Sequence, residues 1–248
     1  MTADPQAAEE GVSSSRARWL PTGVLLLLVA VFLALGTWQV QRLFWKLDLI
    51  ARVESRVHAE PVPAPGRAEW PAISPEKDEY RRVTATGLFQ HDKTVLVQAV
   101  TERGAGFWVL TPLRLPDEST VVINRGFVPA DKRDPAARVA SEIAAGPVTV
   151  TGLLRISEPG GAFLRSNDPA NDRWFSRDVV AIAAAKGLPD GAPYFIDADA
   201  TPNPGGLPVG GLTVVAFRNS HLVYALTWYA LAAMSLVGIY LVRKQRAA

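Results

Sequence analysis

Apolar and polar residues follow three different patterns along the chain, and the first of them predicts a membrane helix. Residues 19–41 carry no charged side chain and contain the apolar run 24–35. A stretch of this length is typical of a transmembrane helix. The alternative is a cleaved signal peptide, because Ala34 and Gly36 have the small-x-small spacing of a cleavage site.

Helical spacing continues beyond this apolar run. Side chains that can share one face of a continuing helix are Val40, Leu43, Leu47, Ile50 and Val57. The first helix is therefore predicted to leave the bilayer and to continue as an amphipathic helix to about residue 58. This extension can pack on its own domain, bind a partner or lie at the membrane interface.

Between residues 59 and 218 the period changes to two, which predicts strands. The Pro-rich residues 60–75 precede them as a linker or extended segment. A helix is predicted over residues 179–186 with Ser176 as its N-cap. The predicted strands cover residues 82–89, 94–98, 107–111, 120–124, 148–155, 194–197 and 213–217. This pattern predicts a β-rich, antiparallel and barrel-like extramembrane domain.

The last apolar stretch, residues 219–242, predicts a second transmembrane helix. Its 21 uncharged residues between His221 and Arg243 span roughly 32 Å, about the thickness of one hydrocarbon core. The fold class is therefore an α+β membrane protein, with two transmembrane helices flanking the β-rich domain.

Basic residues near the two ends of the chain predict its orientation. Arg243, Lys244 and Arg246 follow the second span, and Arg16 and Arg18 precede the first. Cations of this kind mark the cytoplasmic side. Residues 1–18 are predicted to be a disordered cytoplasmic tail, residues 243–248 a basic cytoplasmic tail, and residues 59–218 a periplasmic domain. Acidic residues in the first tail are atypical of an organelle transit peptide, which favours a bacterial inner-membrane protein.

Composition narrows the function. The net charge is only +2 and the basic residues are scattered, which argues against nucleic acid as a partner. The sequence has no cysteine and two methionines, so it lacks the soft sulfur ligands that copper delivery needs. No known catalytic motif occurs in it, and no enzyme activity is predicted.

His221 is the principal candidate for binding chemistry. Tyr224, Ala225 and Trp228 follow it at helical spacing, so one helix face presents an imidazole with two aromatic rings beside it. Imidazole is a common ligand for metals and for haem iron. The alternative is that the aromatic residues form an interfacial belt and that His221 makes a structural hydrogen bond.

The other polar residues are weaker candidates for a binding or catalytic site. The segment 124–126, Asn-Arg-Gly, can contact an anion or form a turn with a buried salt bridge. His58 and His91 are expected to be solvated. The carboxylates of residues 131–134 and 197–199 are expected to be caps and surface charges rather than an acid-base pair.

Three motifs resemble those of a known family. Residues 36–46 match Gly-x-Trp-Gln-x-x-Arg-x-x-x-Lys, and residues 124–129 match Asn-Arg-Gly-aromatic-Val-Pro. Residues 219–229 match Asn-Asn-His-Leu-x-Tyr-Ala-x-Thr-Trp-aromatic, except that Ser220 replaces the second Asn. In this order the motifs resemble the Surfeit-locus family of cytochrome c oxidase assembly factors, whose architecture fits nearly the whole chain.

The resemblance implies a non-enzymatic role in the assembly of a haem-copper oxidase. It implies binding of haem a, with His221 as the iron ligand, and insertion of the haem into the catalytic subunit of cytochrome c oxidase. The motif residues that would form walls or hold a propionate are Trp38, Gln39, Arg42, Tyr224 and Trp228. Haem a synthase is a further candidate partner. The alternative is a membrane scaffold that clamps an immature oxidase subunit without stable cofactor binding.

Overall fold

The computed structural model describes residues 5–142, 146–162, 164–188, 190–215 and 217–247. The chain divides into two units, one of residues 1–51 and 216–248 and the other of residues 52–215. The β-rich unit is thus inserted in the sequence between the two apolar helices. This is the predicted class, a β-rich domain flanked by two candidate membrane helices.

Helix α1 (Pro5–Val57) runs from the polar N-terminal segment through the apolar run and its amphipathic extension. It begins at Pro5, so the disordered tail predicted for residues 1–18 is helical over residues 5–18. Helix α5 (His221–Ala247) lies near the other end of the chain. The segments Trp19–Val57 and His221–Gln245 are long and apolar enough to cross a membrane.

Seven strands form one sheet in the β-rich unit. They are β1 (Val62–Pro63), β2 (Arg82–Phe89), β3 (Val95–Thr101), β4 (Gly104–Arg114), β5 (Thr120–Pro129), β6 (Val148–Ile156) and β7 (Gly191–Ala198). The spatial order is β1-β2-β6-β7-β5-β4-β3, and β2 also pairs with β4. Strands β2, β6, β7, β5 and β4 therefore close into a five-stranded barrel.

Barrel closure depends on two features that local sequence patterns do not reveal. The pairing of β5 with β7 is parallel, with Ile123 opposite Ile196, whereas the other pairings within the barrel are antiparallel. Strands β2 and β4 meet only at their ends, where Leu88 lies opposite Arg114. Gly87 is required there, because a Cβ would clash with the carbonyl oxygen of Arg114.

Strand β5 is buried on both faces and separates two apolar clusters. Ile123 faces the first cluster, which also contains Val83, Leu113, Leu154, Tyr194 and Ile196. Val122 faces the second, which also contains Val95, Val97, Leu110, Trp174 and Phe195. Helix α4 (Val179–Ala185) covers the second cluster with Val179 and Ile182. The core therefore lies both inside the barrel and between its wall and α4.

Two local predictions were wrong. The N-cap of α4 is Asp178, whose side chain accepts from the amide of Ala181, whereas Ser176 accepts hydrogen bonds from Gly161 and Asn167. Residues 213–217 were predicted to be a strand, but residues 213–215 and 217 lie outside any strand. Strand β7 already pairs with β5 and β6 on its two sides, so it offers this segment no free edge. The remaining helices are single turns, α2 (Pro75–Asp78) and α3 (Val139–Glu142).

Candidate functional site

Helices α1 and α5 each shield one narrow face from the surroundings. The shielded positions alternate three and four residues apart, which is the spacing of packed antiparallel helices. One series of shielded positions with this spacing comprises Thr22, Leu25, Val29, Phe32, Gly36, Gln39 and Leu43 on α1, and His221, Ala225, Trp228, Ala232, Ser235 and Ile239 on α5. His221 and Gln39 thus belong to the two facing seams.

Side-chain contacts along the two seams fix the register of the pair. The rings of Phe32 and Trp228 stack with centroids 5.7 Å apart. A Cβ at Gly36 would lie only 2.7 Å from the ring of Tyr229, so this glycine permits the close approach. The hydroxyls of Tyr229 and Thr37 are 3.3 Å apart. Phe32, Thr37 and Tyr229 were not predicted as part of the site, because their partners lie on the other helix.

The central polar contact joins His221 to Gln39. His221 Nδ1 lies 2.8 Å from Gln39 Oε1, and the bond is partly buried. An amide oxygen can only accept, so in this contact Nδ1–H donates to Oε1, and a neutral ring then keeps its lone pair on Nε2. His221 is also held at the start of its helix, where its backbone N–H donates to Asn219 Oδ1 at 3.4 Å. The structure therefore brings together two of the predicted site residues.

Three other predicted site residues lie on one side of this contact. At 3.6 residues per turn, Trp38 lies about 100° and Arg42 about 60° from Gln39 around the axis of α1, both in the same direction. On α5, Tyr224 lies about 60° from His221 around the helix axis. In an antiparallel pair these rotations point to the same side, opposite the Thr37–Tyr229 contact. Trp38 is 51% exposed and Tyr224 is 55% exposed. Arg42 is also exposed, with its guanidinium carbon 4.5 Å from the ring centre of Trp45.

His221 is a single imidazole rather than part of a cluster of ligands. Among the described residues, no group of three or more His, Asp or Glu side chains could hold a metal ion. Around His221, the described residues therefore offer one imidazole nitrogen rather than a set of ligands.

The β-rich unit contains a buried ion-pair network that the sequence did not predict. Asp197 is 2% exposed and accepts from Asn124 at 2.7 Å, Arg155 at 3.0 Å, Arg177 at 3.1 Å and the hydroxyl of Thr213 at 2.9 Å. It was expected to be a cap or a surface charge, which is wrong. The signal was the preceding run of consecutive apolar residues, because a strand with both faces buried also buries its acid. Asp134 does act as a cap, accepting from the amide of Ala136.

Two further carboxylates complete this network. Arg155 also pairs with Glu79 at 2.7 Å, and Arg177 with Glu158 at 2.6 Å. Burial alone would raise the pKa of Glu158, but the hydrogen bond and charge of Arg177, together with Arg155, lower it overall. The network has a hydrogen-bonded partner for each of its charges, so its role is structural.

The segment Asn124-Arg125-Gly126 lies in strand β5 rather than in a turn. Arg125 is only 4% exposed, and its Nη2 donates to Asn203 Oδ1 at 3.1 Å. Gly126 adopts a φ of +129°, and its amide donates to Asn124 Oδ1 at 3.2 Å. A Cβ at Gly126 would overlap the backbone of Val209, so this glycine allows a close chain crossing.

The two remaining histidines, His58 and His91, differ in burial. His58 has a side chain that is 70% exposed, as expected. His91, expected to be solvated, is half-buried, and its Nδ1 lies 3.4 Å from Nη1 of Arg125. Burial and then the charge of Arg125 lower the pKa of His91. Neither residue lies in the pair formed by α1 and α5.

The sequence of this chain is similar to a protein family and to several known proteins. The family model described as SURF1 family matches residues 26–233. The chain is 39% identical to human Surfeit locus protein 1 over 229 residues, which cover 85% of this chain and 73% of the human protein. It is 38% identical to the mouse protein over 92% of this chain and 76% of that one. A SURF1-like protein of Monosiga brevicollis is 38% identical over 89% of this chain and 87% of that protein.

Proposed function

We propose a function from one premise: this chain belongs to the SURF1 family, whose members are known as cytochrome oxidase assembly factors. The premise supports a role in assembling the oxidase rather than an enzymatic one. We infer that the chain binds haem a through His221 and promotes its insertion into the catalytic subunit of cytochrome c oxidase.

One observation carries the haem proposal, the contact between His221 and Gln39. Because Gln39 Oε1 accepts from Nδ1 at 2.8 Å, it holds the imidazole in the tautomer whose Nε2 can bind iron. Metal-bound histidines generally donate their second ring N–H to such an acceptor, which fixes the ring and raises its basicity.

The neighbouring residues suit the remainder of a haem. Trp228, held by its stacking on Phe32, offers a flat apolar surface two turns from His221 on the same face of α5. The exposed rings of Trp38 and Tyr224 can cover an apolar ligand on the open side of the pair. Arg42 can bind a propionate with its planar guanidinium fork. Each of these groups would bind, orient or shield the cofactor, and haem itself supplies the redox chemistry that the oxidase uses.

We place this activity in the inner membrane of a bacterium. In this arrangement both termini lie in the cytoplasm and the β-rich domain in the periplasm, in line with the terminal basic residues. The partners are the lipid bilayer, the catalytic subunit that receives the haem, and haem a synthase as the donor. His221 then lies at the outer boundary of the bilayer.

An optical spectrum tests the proposal. The full chain is co-expressed with the enzymes of haem a synthesis, purified in mild detergent and compared with His221→Ala. The matched control is His58→Ala, which removes an exposed imidazole at the end of α1. We expect a haem a Soret band in the wild type and in the control, and its loss or displacement in His221→Ala.

The other outcomes are equally informative. If wild type is colourless while its fold and its association with the oxidase remain intact, the haem proposal fails and the scaffold alternative replaces it. If His221→Ala binds haem with an unchanged spectrum, a haem site exists but His221 is not its ligand.

A further inference from the structure

One edge of the sheet in the β-rich unit is only partly covered. Strand β3 is last in the spatial order, with β4 as its neighbouring strand. On the other side of β3, the backbone N–H of Gln98 donates to the carbonyl oxygen of Trp174 at 2.9 Å. The covering segment then turns away, because the next two amides, of Phe175 and Ser176, donate to Oδ1 of Asn167. This segment therefore leaves open the edge of β3 beyond Gln98.

Val100 presents its backbone at the open part of this edge. In an antiparallel pair, the N–H and C=O groups of successive residues point alternately toward and away from the partner strand. Because Gln98 directs its N–H away from β4, Val100 does the same two residues further along. Among the described residues, none is a backbone hydrogen-bond partner of Val100 on this side. Val100 is also 84% exposed, so its backbone is accessible to another chain.

The open edge lacks several features that commonly protect sheet edges. Natural sheets discourage pairing with other chains by Lys, Pro or a bulge in the edge strand. The residues of β3, Val95–Thr101, include neither Lys nor Pro, and the register of β3 with β4 runs without a shift. An exposed valine on such an edge favours contact with another extended chain.

A groove of about 490 Å³ lies beside the open edge. In the register of β3 and β4, Gln98 lies opposite Phe107, and Val100 lies opposite Ala105. All four residues line the groove. Their side chains share one face of the sheet, because successive side chains of a strand point to opposite faces. The groove thus extends from the backbone edge at Val100 across the adjacent sheet face.

The lining of the groove is cationic. It includes Arg165 and, among the described residues, no carboxylate. Arg165 is exposed, its Nη1 donates to Oε1 of Gln98 at 2.6 Å, and its guanidinium carbon lies 5.4 Å from the ring centre of Phe175. Both of these partners are neutral. The guanidinium of Arg133 lies 5.2 Å from the ring centre of Phe107, but two carboxylates balance the two cations of residues 131–134. The net charge of the groove is therefore that of Arg165.

We propose that this groove binds an extended, acidic segment of a partner polypeptide, which bonds to the backbone of Val100 and places a carboxylate beside Arg165. Main-chain hydrogen bonds at the edge and alternate side chains in a neighbouring groove are the usual division of roles in strand addition. An arginine fork is suited to a carboxylate. A second copy of this chain fits less well, because symmetric pairing of two β3 edges about Val100 would run each past Gln98, where Trp174 already lies.

Fluorescence anisotropy on the full chain in detergent tests the groove. The probe is a labelled heptapeptide, acetyl-Thr-Val-Thr-Glu-Thr-Val-Thr-amide, whose Glu and Val side chains share one face of an extended chain. The matched ligand has Lys in place of Glu. We expect the Glu peptide to bind on the order of tenfold more tightly, because only its side chain complements the cation of the groove.

Variants at exposed positions locate the binding. Val100→Pro removes the outward N–H at an edge position, where proline is tolerated, and we expect severalfold weaker binding of the Glu peptide. Its control Val100→Thr keeps the N–H and should bind as wild type does. Arg165→Glu should reverse the preference, so that the Lys peptide binds more tightly, and it remains informative if the proline variant does not fold. Its control is Arg173→Glu, at an exposed arginine of the same segment that does not line the groove.

Some results would overturn the proposal. They are equal affinity for the two peptides, absence of binding to the folded wild-type chain, or an unchanged preference in Arg165→Glu. Sedimentation of the wild type as a dimer that Val100→Pro dissociates would also overturn it, because the occupant of the edge would then be a second copy. None of these measurements involves haem, so failure here is distinguishable from failure of the haem proposal.

Discussion

At the scale of single residues, the chemistry of this protein depends on neighbours that set the state of a titratable group. Gln39 determines which nitrogen of His221 carries the hydrogen, across a distance of 2.8 Å between two helices. Burial, and then the charge of Arg125, lower the pKa of His91 below that of a solvated imidazole. In both places the partner is distant in sequence: the contact with Gln39 selects a tautomer of His221, whereas Arg125 disfavours the protonated form of His91.

Replacing Gln39 should impair haem binding without removing the proposed ligand. Gln39→Leu keeps the size of the side chain but loses the acceptor for Nδ1–H, so the imidazole can rotate or change tautomer. We expect haem affinity to fall by roughly tenfold to a hundredfold, the range typical of lost hydrogen bonds to metal ligands. Haem titration followed by absorbance measures it.

Two variants control for other effects of changing Gln39. Gln41→Leu removes an exposed glutamine from a different face of α1 and should leave affinity unchanged. Gln39→Glu retains an acceptor and should restore most of the binding. Equal affinity of Gln39→Leu and wild type would show that this hydrogen bond does not position a ligand.

His91 should make the β-rich unit less stable in mild acid. Its pKa is lowered in the folded state, so the unfolded state binds more protons as the pH falls through about 6.5, and stability decreases there. Urea unfolding at pH 7.5 and pH 5.5 should show this loss, and His91→Gln should reduce it. The ion-pair network around Asp197 responds at lower pH. Because the pKa of Glu158 is lowered, the stability that this carboxylate contributes is lost only near and below pH ~4.5. The control His58→Gln should keep the full loss, and an equal loss in His91→Gln and wild type would contradict the assignment to His91.

At the scale of elements, α1 and α5 pack through small residues and a few aromatic rings. Gly36 accommodates the ring of Tyr229, while Ala225 and Ala232 are buried in the facing seam of α5. Inside a bilayer there is no hydrophobic drive to bring helices together, so close packing of such small residues stabilises the pair. The same packing holds His221 level with Gln39, which links helix association to the proposed site.

Enlarging Gly36 should separate the two helices. In Gly36→Leu the new side chain overlaps the ring of Tyr229, because even a Cβ would lie 2.7 Å from it. Overpacking of this kind costs about 1–3 kcal/mol. The chain has no cysteine, so the pair Leu25→Cys and Gly238→Cys can report helix proximity by disulfide formation. We expect less cross-linking in Gly36→Leu.

Gly23 provides the matched control for this experiment. A Cβ at Gly23 would have nothing within 4 Å, so Gly23→Leu should leave cross-linking unchanged. Tyr229→Ala should partly restore cross-linking in the Gly36→Leu background by making room. Equal cross-linking of wild type and Gly36→Leu would mean that Gly36 does not set the spacing of α1 and α5.

At the scale of the whole molecule, the β-rich unit is inserted in the sequence between two apolar helices, and its barrel is closed by pairings among its own strands. Closure brings β5 and β7 together as parallel neighbours, although the chain from 130 to 190 separates them. Asp197 lies on β7 and binds groups from β5, β6, the segment before α4 and residue 213. One buried carboxylate therefore joins segments from across the unit.

Neutralising Asp197 should destabilise the whole β-rich unit. Asp197→Asn keeps the shape but leaves Arg155 and Arg177, whose side chains are 13% and 15% exposed, without their shared anion. Breaking a buried ion pair typically costs 3–5 kcal/mol, and we expect a loss of about that size in the free energy of unfolding. Urea unfolding monitored by circular dichroism measures it, with Asp131→Asn at an exposed position as control. A loss below about 1 kcal/mol, the usual value for exposed pairs, would show that the network is effectively solvated.

The sequence by itself determined the elements whose signal is local. A long uncharged run predicts a helix wherever it occurs, and alternation with a period of two identified all strands from β2 to β7. The motifs of the family resemblance singled out His221 and Gln39 as candidate site residues. The helices and strands depend on spacing along one segment, which the sequence contains in full.

Only the tertiary structure decided the features that depend on distant partners. These include the parallel pairing of β5 with β7, the absence of a strand at residues 213–215, the burial of Asp197 and the groove beside the open edge of β3. The hydrogen bond between Gln39 and His221 belongs with them, because its two residues are 182 positions apart. A polar side chain can be a surface charge, part of a buried ion pair or a cofactor ligand, depending on the groups that folding brings into contact with it. Residue type alone does not specify those groups.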